Sequence, residues 1–205
     1  MLKSKKASNT CAVILLAAGA SNRMGKPKQL LEYNGTGFLS HMVNVITDCK
    51  ADIMIVVLGA NAEGLEKEVD NNKVVKVRNP EWQEGMASSI RCGLNALLVI
   101  EPSCDSVLFL TCDQPHVPAS LLNNLINMHR DTGKPIVACS YANTIGIPAL
   151  FHKSMFAELK ELKGDTGAKK IIVTHKDIAE VIPFPLGSID IDTTDDYKAL
   201  NETIF

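Results

Sequence analysis

The chain has no pair of cysteines at C-x-x-C spacing, although it holds six, at Cys11, Cys49, Cys92, Cys104, Cys112 and Cys139. Zinc-ribbon and thioredoxin-like chemistry therefore lack the spacing they need. Several of these residues sit beside apolar runs, where a thiol behaves as a small core side chain, so they read as reduced thiols in a cytoplasmic protein. Charge of one sign is also missing: 21 basic residues against 23 acidic ones leave a net charge of −2. Phosphate-backbone binding leaves a basic footprint, so a nucleic-acid partner is not expected. No membrane contact is expected either, because the run AVILLAAGA near the N-terminus is too short to span a bilayer and reads as a buried strand rather than a signal sequence. The five histidines, at His41, His116, His129, His152 and His175, include no H-x-x-x-H pair, and none is assigned a catalytic role.

What is present is an ordinary globular composition, 46% hydrophobic and 21% charged over 205 residues, enough for one well-buried core. Residues 1–10 read as a loose tail and residues 11–205 as one domain. Short apolar runs alternate with amphipathic stretches, which predicts an α/β fold with a mostly parallel sheet. Strands are expected at Ala12–Ala17, Ile53–Leu58, Val74–Arg78, Ser106–Thr111 and Ile136–Ser140. Helices are expected near Gly37–Asp48, Asn61–Val69, Met86–Ile100 and Ser120–Thr132. Past Ile145 the rhythm loosens, with helices near Lys153–Leu162 and Thr166–Thr174 and strands near Val181–Phe184 and Ser188–Ile191.

The first strand runs into AGASNRMGKPK, from Ala18 to Lys28. Ligands of open α/β sheets bind beyond the carboxyl ends of the strands, so a site belongs here. Gly19 and Gly25 allow tight turns and close approach of a ligand to the backbone N–H groups. Arg23 can grip phosphate oxygens as a fork, Lys28 adds a point charge, and Pro27 stiffens the approach to it. Neither the dinucleotide fingerprint nor the kinase-type P-loop is present. A glycine-containing turn with solvated cations accounts for the same residues.

Asp113 follows the apolar strand VLFLT, which puts a carboxylate on the same sheet edge. Magnesium takes such hard oxygen ligands, but a strand-end Asp equally caps a helix or closes a turn with Pro115. Asp190 and Asp192 alternate with Ile189 and Ile191, so on a strand both would face one side. The segment Asn79–Gly93 reads as a loop opening a helix, with Ser88 or Ser89 placed to cap it or to meet a base edge. Trp82, the only tryptophan, reads as packing on the core or as a lid. Gly146–Phe151 suggests a tight turn into a strand, and Gly164–Lys169 a turn and a helix start capped by Asp165 or Thr166.

Taken together, LAAGASNRMGKPK resembles the L-A-[AG]-G-x-S-x-R-M-G-x-x-K signature of nucleotidyltransferases that activate small metabolites. Within that group the chain is most similar to the MobA-like proteins of molybdenum-cofactor synthesis. Its Ala-Ala-Gly form and the run Pro27–Leu31 resemble the cytidylyltransferases that make molybdopterin cytosine dinucleotide. Guanylyltransferases typically show Ala-Gly-Gly and an Asp before the lysine, and the chain departs from them at Ala18 and Pro27. NPEWQEGMASSI (79–90), the D-Q-P at Asp113–Pro115, Gly146–Pro148, GDTGAK (164–169) and DIDT (190–193) match further family motifs.

The resemblance implies a three-layer α/β/α Rossmann-like fold and transfer of CMP from CTP to the terminal phosphate of a pterin, with release of pyrophosphate. It implies Mg2+ as cofactor, with Arg23, Lys28 and Asp113 as the catalytic groups. Nucleotide binding then falls to Leu16, Ala17, Ala18, Gly19, Ser21, Arg23, Gly25 and Lys28, joined by Gly85 and Ser89 on the base side. The metal falls to Asp113 with Asp190, which is favoured over Asp192. The acceptor side falls to Gly146, Pro148, Asp165 and Lys169. Transient contact with molybdoenzymes or cofactor-synthesis proteins would follow. Two other readings remain: a cytidylyltransferase of the isoprenoid-precursor type and a noncatalytic nucleotide-binding regulator.

Overall fold

The computed structural model describes residues 9–21 and 24–202. Its first strand, β1 (Cys11–Ala17), is buried along its whole length. Continuous burial requires cover on both faces, as in a parallel sheet flanked by helices. Alternate side chains obey this: Val13 and Leu15 enter one core, Ile14 and Leu16 the other. A small hairpin follows, β2 (Glu32–Tyr33) and β3 (Thr36–Gly37), turning at Asn34-Gly35 with both residues at positive φ. Asn-Gly tolerates that left-handed pair better than almost any other dipeptide.

The chain continues through α1 (Phe38–Thr47), β4 (Ile53–Leu58), α2 (Ala62–Leu65), β5 (Val74–Arg78), α3 (Met86–Ile100), β6 (Ser106–Thr111) and α4 (Ala119–Thr132). Then come β7 (Ile136–Tyr141), β8 (Thr144–His152), α5 (Phe156–Lys160), α6 (Lys169–Thr174), β9 (Ala179–Pro183) and α7 (Thr194–Glu202). Seven strands form the main sheet in the order β5-β4-β1-β6-β8-β7-β9. All neighbours are parallel except β8, which runs antiparallel to both β6 and β7. The mixed, mostly parallel α/β sheet expected from the sequence is therefore present. The chain crosses from β1 to β4 on one side and later to β6 on the other, so the reversal of strand order lies at β1. The crevice beyond its carboxyl end is where such sheets bind ligands.

Helices α1 and α4 cover one face with residues such as Phe38, Met42, Leu122 and Leu125, whereas α3, α5 and α6 cover the other with Ile90, Leu94, Leu159 and Ile172. Phe109 and Phe151, both fully buried, meet at 6.2 Å across the β6–β8 pair. Burying an aromatic side chain of this kind stabilises by about 1.5–3 kcal/mol.

Three expectations need correction. The helix expected at Asn61–Val69 is only the single turn α2, because Gly64 in its middle disfavours continuation. Gly146 is no turn: it lies inside β8, and the reversal falls at Ala142-Asn143, both at positive φ. The strand expected at Ser188–Ile191 does not form. Pro185 opens a 3-10 turn, Gly187 packs against the Tyr141 ring, and one backbone bond, Ile191 N–H to Asp113 O at 3.0 Å, replaces a ladder. Just before β1, Thr10 O accepts from the amides of Asp105 and Ser106.

Gly93 sets how closely α3 approaches the sheet, because a Cβ there would lie 2.8 Å from Ile14 Cγ2 and 2.9 Å from Val57 Cγ2. Gly93→Val should therefore destabilise the fold by about 1–3 kcal/mol through overpacking, read as a lower urea midpoint at unchanged slope. An unchanged midpoint would mean that α3 can slide outward freely.

Candidate active site

The loop after β1 is held by a buried amide. Gln29, only 1% exposed, donates through Nε2 to Ala17 O at 3.0 Å and to Gly19 O at 2.8 Å. Its Oε1 accepts from Ser21 Oγ at 3.3 Å, and Ser21 Oγ accepts from the Lys28 backbone N–H at 3.0 Å. The loop is thus closed on itself, with Gly25 at φ 68° supplying the left-handed turn. Arg23 lies outside the described residues.

This closure delivers Lys28 to two carboxylates from distant parts of the chain. Its Nζ lies 2.7 Å from Asp113 Oδ2 and 3.0 Å from Asp192 Oδ1. Burial pulls the ammonium's pKa down, but the charge of Asp113 and the hydrogen bonds to Asp113 and Asp192 outweigh it and hold it above the ordinary lysine value. Asp190 stands in the same cluster without a direct ion pair to the lysine. It is open to solvent on one side; desolvation on the other, followed by the charge of Asp113, pushes its carboxyl up to about 6. Asp192, rather than the favoured Asp190, is the carboxylate that meets Lys28. Ile191 between them is fully buried and pins the pair beside Asp113.

Behind the cluster opens a cavity of about 510 Å³. Leu16, Ala17, Ala18 and Gly19 form one wall, Gly85, Met86 and Ser89 another, and Lys28, Asp113 and Asp192 lie at its charged end. The Gly85 wall is shaped by close contact: at φ 121° this glycine packs on Gly164, and a Cβ there would collide with the Asp165 carboxylate. Ala87 N–H donates to Gly164 O at 3.0 Å, so the turn at Gly164–Asp165 is fastened to the start of α3. Neither Asp165 nor Thr166 caps α6, which begins only at Lys169. Asp165 lines the cavity instead.

Asn79, buried behind this wall, donates to Ser88 Oγ at 2.8 Å and Ser89 Oγ at 3.1 Å. Ser88 spends its own proton on Gly85 O. Among the described residues Ser89 donates to none, which leaves its hydroxyl proton for a ligand in the cavity. Trp82 is half-buried: its Cβ packs on Gly59 and its side chain borders the cavity, so packing and covering coincide. On the opposite side His41 Nε2 donates to Pro115 O at 3.1 Å, steadying the loop that bears Asp113.

Of the residues expected on the acceptor side, only Asp165 borders this cavity. Gly146 and Pro148 lie in β8, Gly146 against the Tyr141 hydroxyl, and Lys169 is exposed at the start of α6. Gln29 and Asn79 carry no site role in the sequence reading, and Asp192 stands there only as the second choice to Asp190. A polar side chain between Lys28 and two leucines was the available signal for Gln29.

A hard divalent cation fits this donor set. Two carboxylate oxygens, Asp113 Oδ2 and Asp192 Oδ1, already converge on one positive charge, the Lys28 ammonium. Among the described residues no three acidic, His or Cys side chains close on a single point. No helix among the described residues is long and apolar enough to cross a membrane.

Comparison with known proteins shows the family. Residues 13–178 match the MobA-like NTP transferase domain. The chain is 31% identical over 130 residues to the bifunctional protein GlmU of Mycolicibacterium smegmatis, covering 60% of this chain but only 27% of that protein. It thus spans about a quarter of that relative. To the molybdenum cofactor guanylyltransferase of Vibrio atlanticus it is 27% identical, covering 83% of this chain and 84% of the other. The crystal structure of Rv0371c from Mycobacterium tuberculosis superposes with a TM-score of 0.79 at 31% identity, over 95% of this chain and 100% of that one. The same protein has also been solved in complex with manganese, at 29% identity to this chain. The cavity behind the lysine–carboxylate cluster is thus the candidate active site of a nucleotidyltransferase, and the chain belongs to the MobA-like NTP transferase family.

Proposed function

We propose that the protein transfers CMP from CTP to the terminal phosphate of a molybdopterin-type acceptor and releases pyrophosphate. The observation that supports this best is Lys28 clasped between Asp113 and Asp192 where the closed glycine loop meets a nucleotide-sized cavity. In this reading the triphosphate lies along the backbone N–H groups of the loop, with Arg23 and Lys28 balancing its charge. The nucleoside enters between Leu16–Ala18 and Gly85–Ser89, where the Ser89 hydroxyl meets the base. Ala18 and Pro27 tilt the choice toward CTP. Asp113, with Asp192 or Asp190, would hold Mg2+, which supplies Lewis-acid neutralisation of the phosphates.

The reaction is an in-line displacement. An oxygen of the acceptor phosphate bonds to the α-phosphorus, the bridging bond to the β-phosphate breaks, and pyrophosphate leaves with the electron pair. Both reactants are anions, so the protein's part is alignment and charge neutralisation. No protein nucleophile is required. This fits Cys112, the cavity-edge cysteine, whose burial drives its thiol pKa far above any nucleophilic range.

A pyrophosphate-release assay with each of the four NTPs and Mg2+, with and without molybdopterin, tests the proposal. Release should require both CTP and the acceptor. Release with GTP instead would move the chain to guanylyl transfer, and tight CTP binding without release would favour the regulator. Lys28→Ala should lower kcat/KM by about 100-fold or more; unchanged turnover at saturating CTP would remove the lysine from the mechanism. Gln29→Leu deprives Ala17 O and Gly19 O of their donor. It should raise KM for CTP more than it lowers kcat and cost about 1–3 kcal/mol of stability in thermal unfolding. A normal KM would mean the loop holds its shape without the amide.

A further inference from the structure

We propose that Lys28 is the resident cation of the metal site in the nucleotide-free protein, so that Asp113 and Asp192 become available to a divalent ion only when a triphosphate draws the lysine away. The identity of that triphosphate rests on the proposed function; the competition between lysine and metal does not.

The geometry points to this from both ends of the side chain. At the head, Nζ takes Asp113 Oδ2 at 2.7 Å and Asp192 Oδ1 at 3.0 Å, and all three residues line the charged end of the cavity. The charges of Asp113 and Asp192 also reach Asp190, and among the described residues Lys28 pairs with the first two of these acids. A divalent ion and an ammonium cannot occupy one pair of carboxylate oxygens, and placing them side by side adds repulsion to the lost hydrogen bonds.

At the other end, the Lys28 backbone is fixed. Its N–H is tied to Ser21 Oγ, Pro27 precedes it, and the next residue is the buried Gln29. Only the four-carbon stem is left to move, from the carboxylates toward the loop that lies within its own hydrogen-bonded ring. A compact ammonium with three rotatable donors makes that exchange without the geometric penalty of a guanidinium fork. Triphosphate binding and metal binding therefore favour each other through one side chain, and by linkage each tightens the other by the same factor.

The test uses the full chain without nucleotide and Mn2+ alone as probe, with bound ion counted by electron paramagnetic resonance. Lys28→Met should bind Mn2+ at least about tenfold more tightly than the wild type, because the ammonium that pairs with both carboxylates is gone. Lys28→Arg should stay weak, and adding Asp113→Asn to Lys28→Met should abolish the gain. Lys28→Met binding Mn2+ no better than the wild type, with an unchanged circular-dichroism spectrum, would overturn the proposal. Should Lys28→Met fail to fold, the wild-type Lys28 Cε NMR resonance decides the matter. It should shift on addition of metal-free CTP and stay in place with Mg2+ alone, and a shift with Mg2+ alone would overturn the proposal. A tenfold gain of Mn2+ binding in Lys28→Met without any response to CTP would sustain the lysine's role and count against CTP as the substrate.

Discussion

The interaction on which the site depends is the pair of ion pairs made by Lys28 with Asp113 and Asp192, which join residues 85 and 164 positions apart in the chain. Each partner comes from a different structural source: the loop after β1, the end of β6 and the segment before α7. Carboxylates brought this close repel unless a cation sits among them. The lysine therefore does two things at once. It lets the acids approach, and it marks the spot where positive charge is wanted during the reaction.

The sheet makes this meeting possible. β1 and β6 are adjacent and parallel, so the loops leaving their carboxyl ends emerge side by side. β8 runs antiparallel beyond them and turns the last third of the chain back, so that β9 and the Pro185 turn bring Ile191 under Asp113. Close-packed glycines hold the walls: Gly59 between Trp82 and Ala18, Gly85 against Gly164, and Gly93 against β1 and β4. The rigid parts are thus the sheet, the Gln29 clasp and the α3 wall. The parts left to adjust are side chains at the charged end.

The elements legible from sequence were those whose pattern is local. Ile53–Leu58, Val74–Arg78, Met86–Ile100 and Ser106–Thr111 appear with the boundaries expected, because continuous apolar runs and amphipathic spacing record burial directly. The alternation of Asp190 and Asp192 with isoleucines looked like a strand, yet Pro185 and the contact of Gly187 with Tyr141 override it. That competition is tertiary and leaves no mark in a short window. Gln29 was hidden for a related reason: a glutamine is ordinary on a surface, and only the fold shows that its amide is buried and donates to Ala17 O and Gly19 O. The motif around Lys28 and the D-Q-P turn at Asp113 were readable as chemistry, but their pairing was not, because nothing in either segment names the other. The preference for Asp190 over Asp192 had the same weakness.

In the proposed reaction, bond cleavage occurs at the α-phosphorus of a nucleotide bound in this cavity. Positional labelling measures that directly: the wild-type protein is supplied with molybdopterin, Mg2+ and CTP labelled with 32P at either the α or the γ position. The proposed reaction puts α-label in the pterin product and γ-label in pyrophosphate, in equal amounts. Label from the γ position appearing as inorganic phosphate, or α-label remaining in CDP, would contradict it.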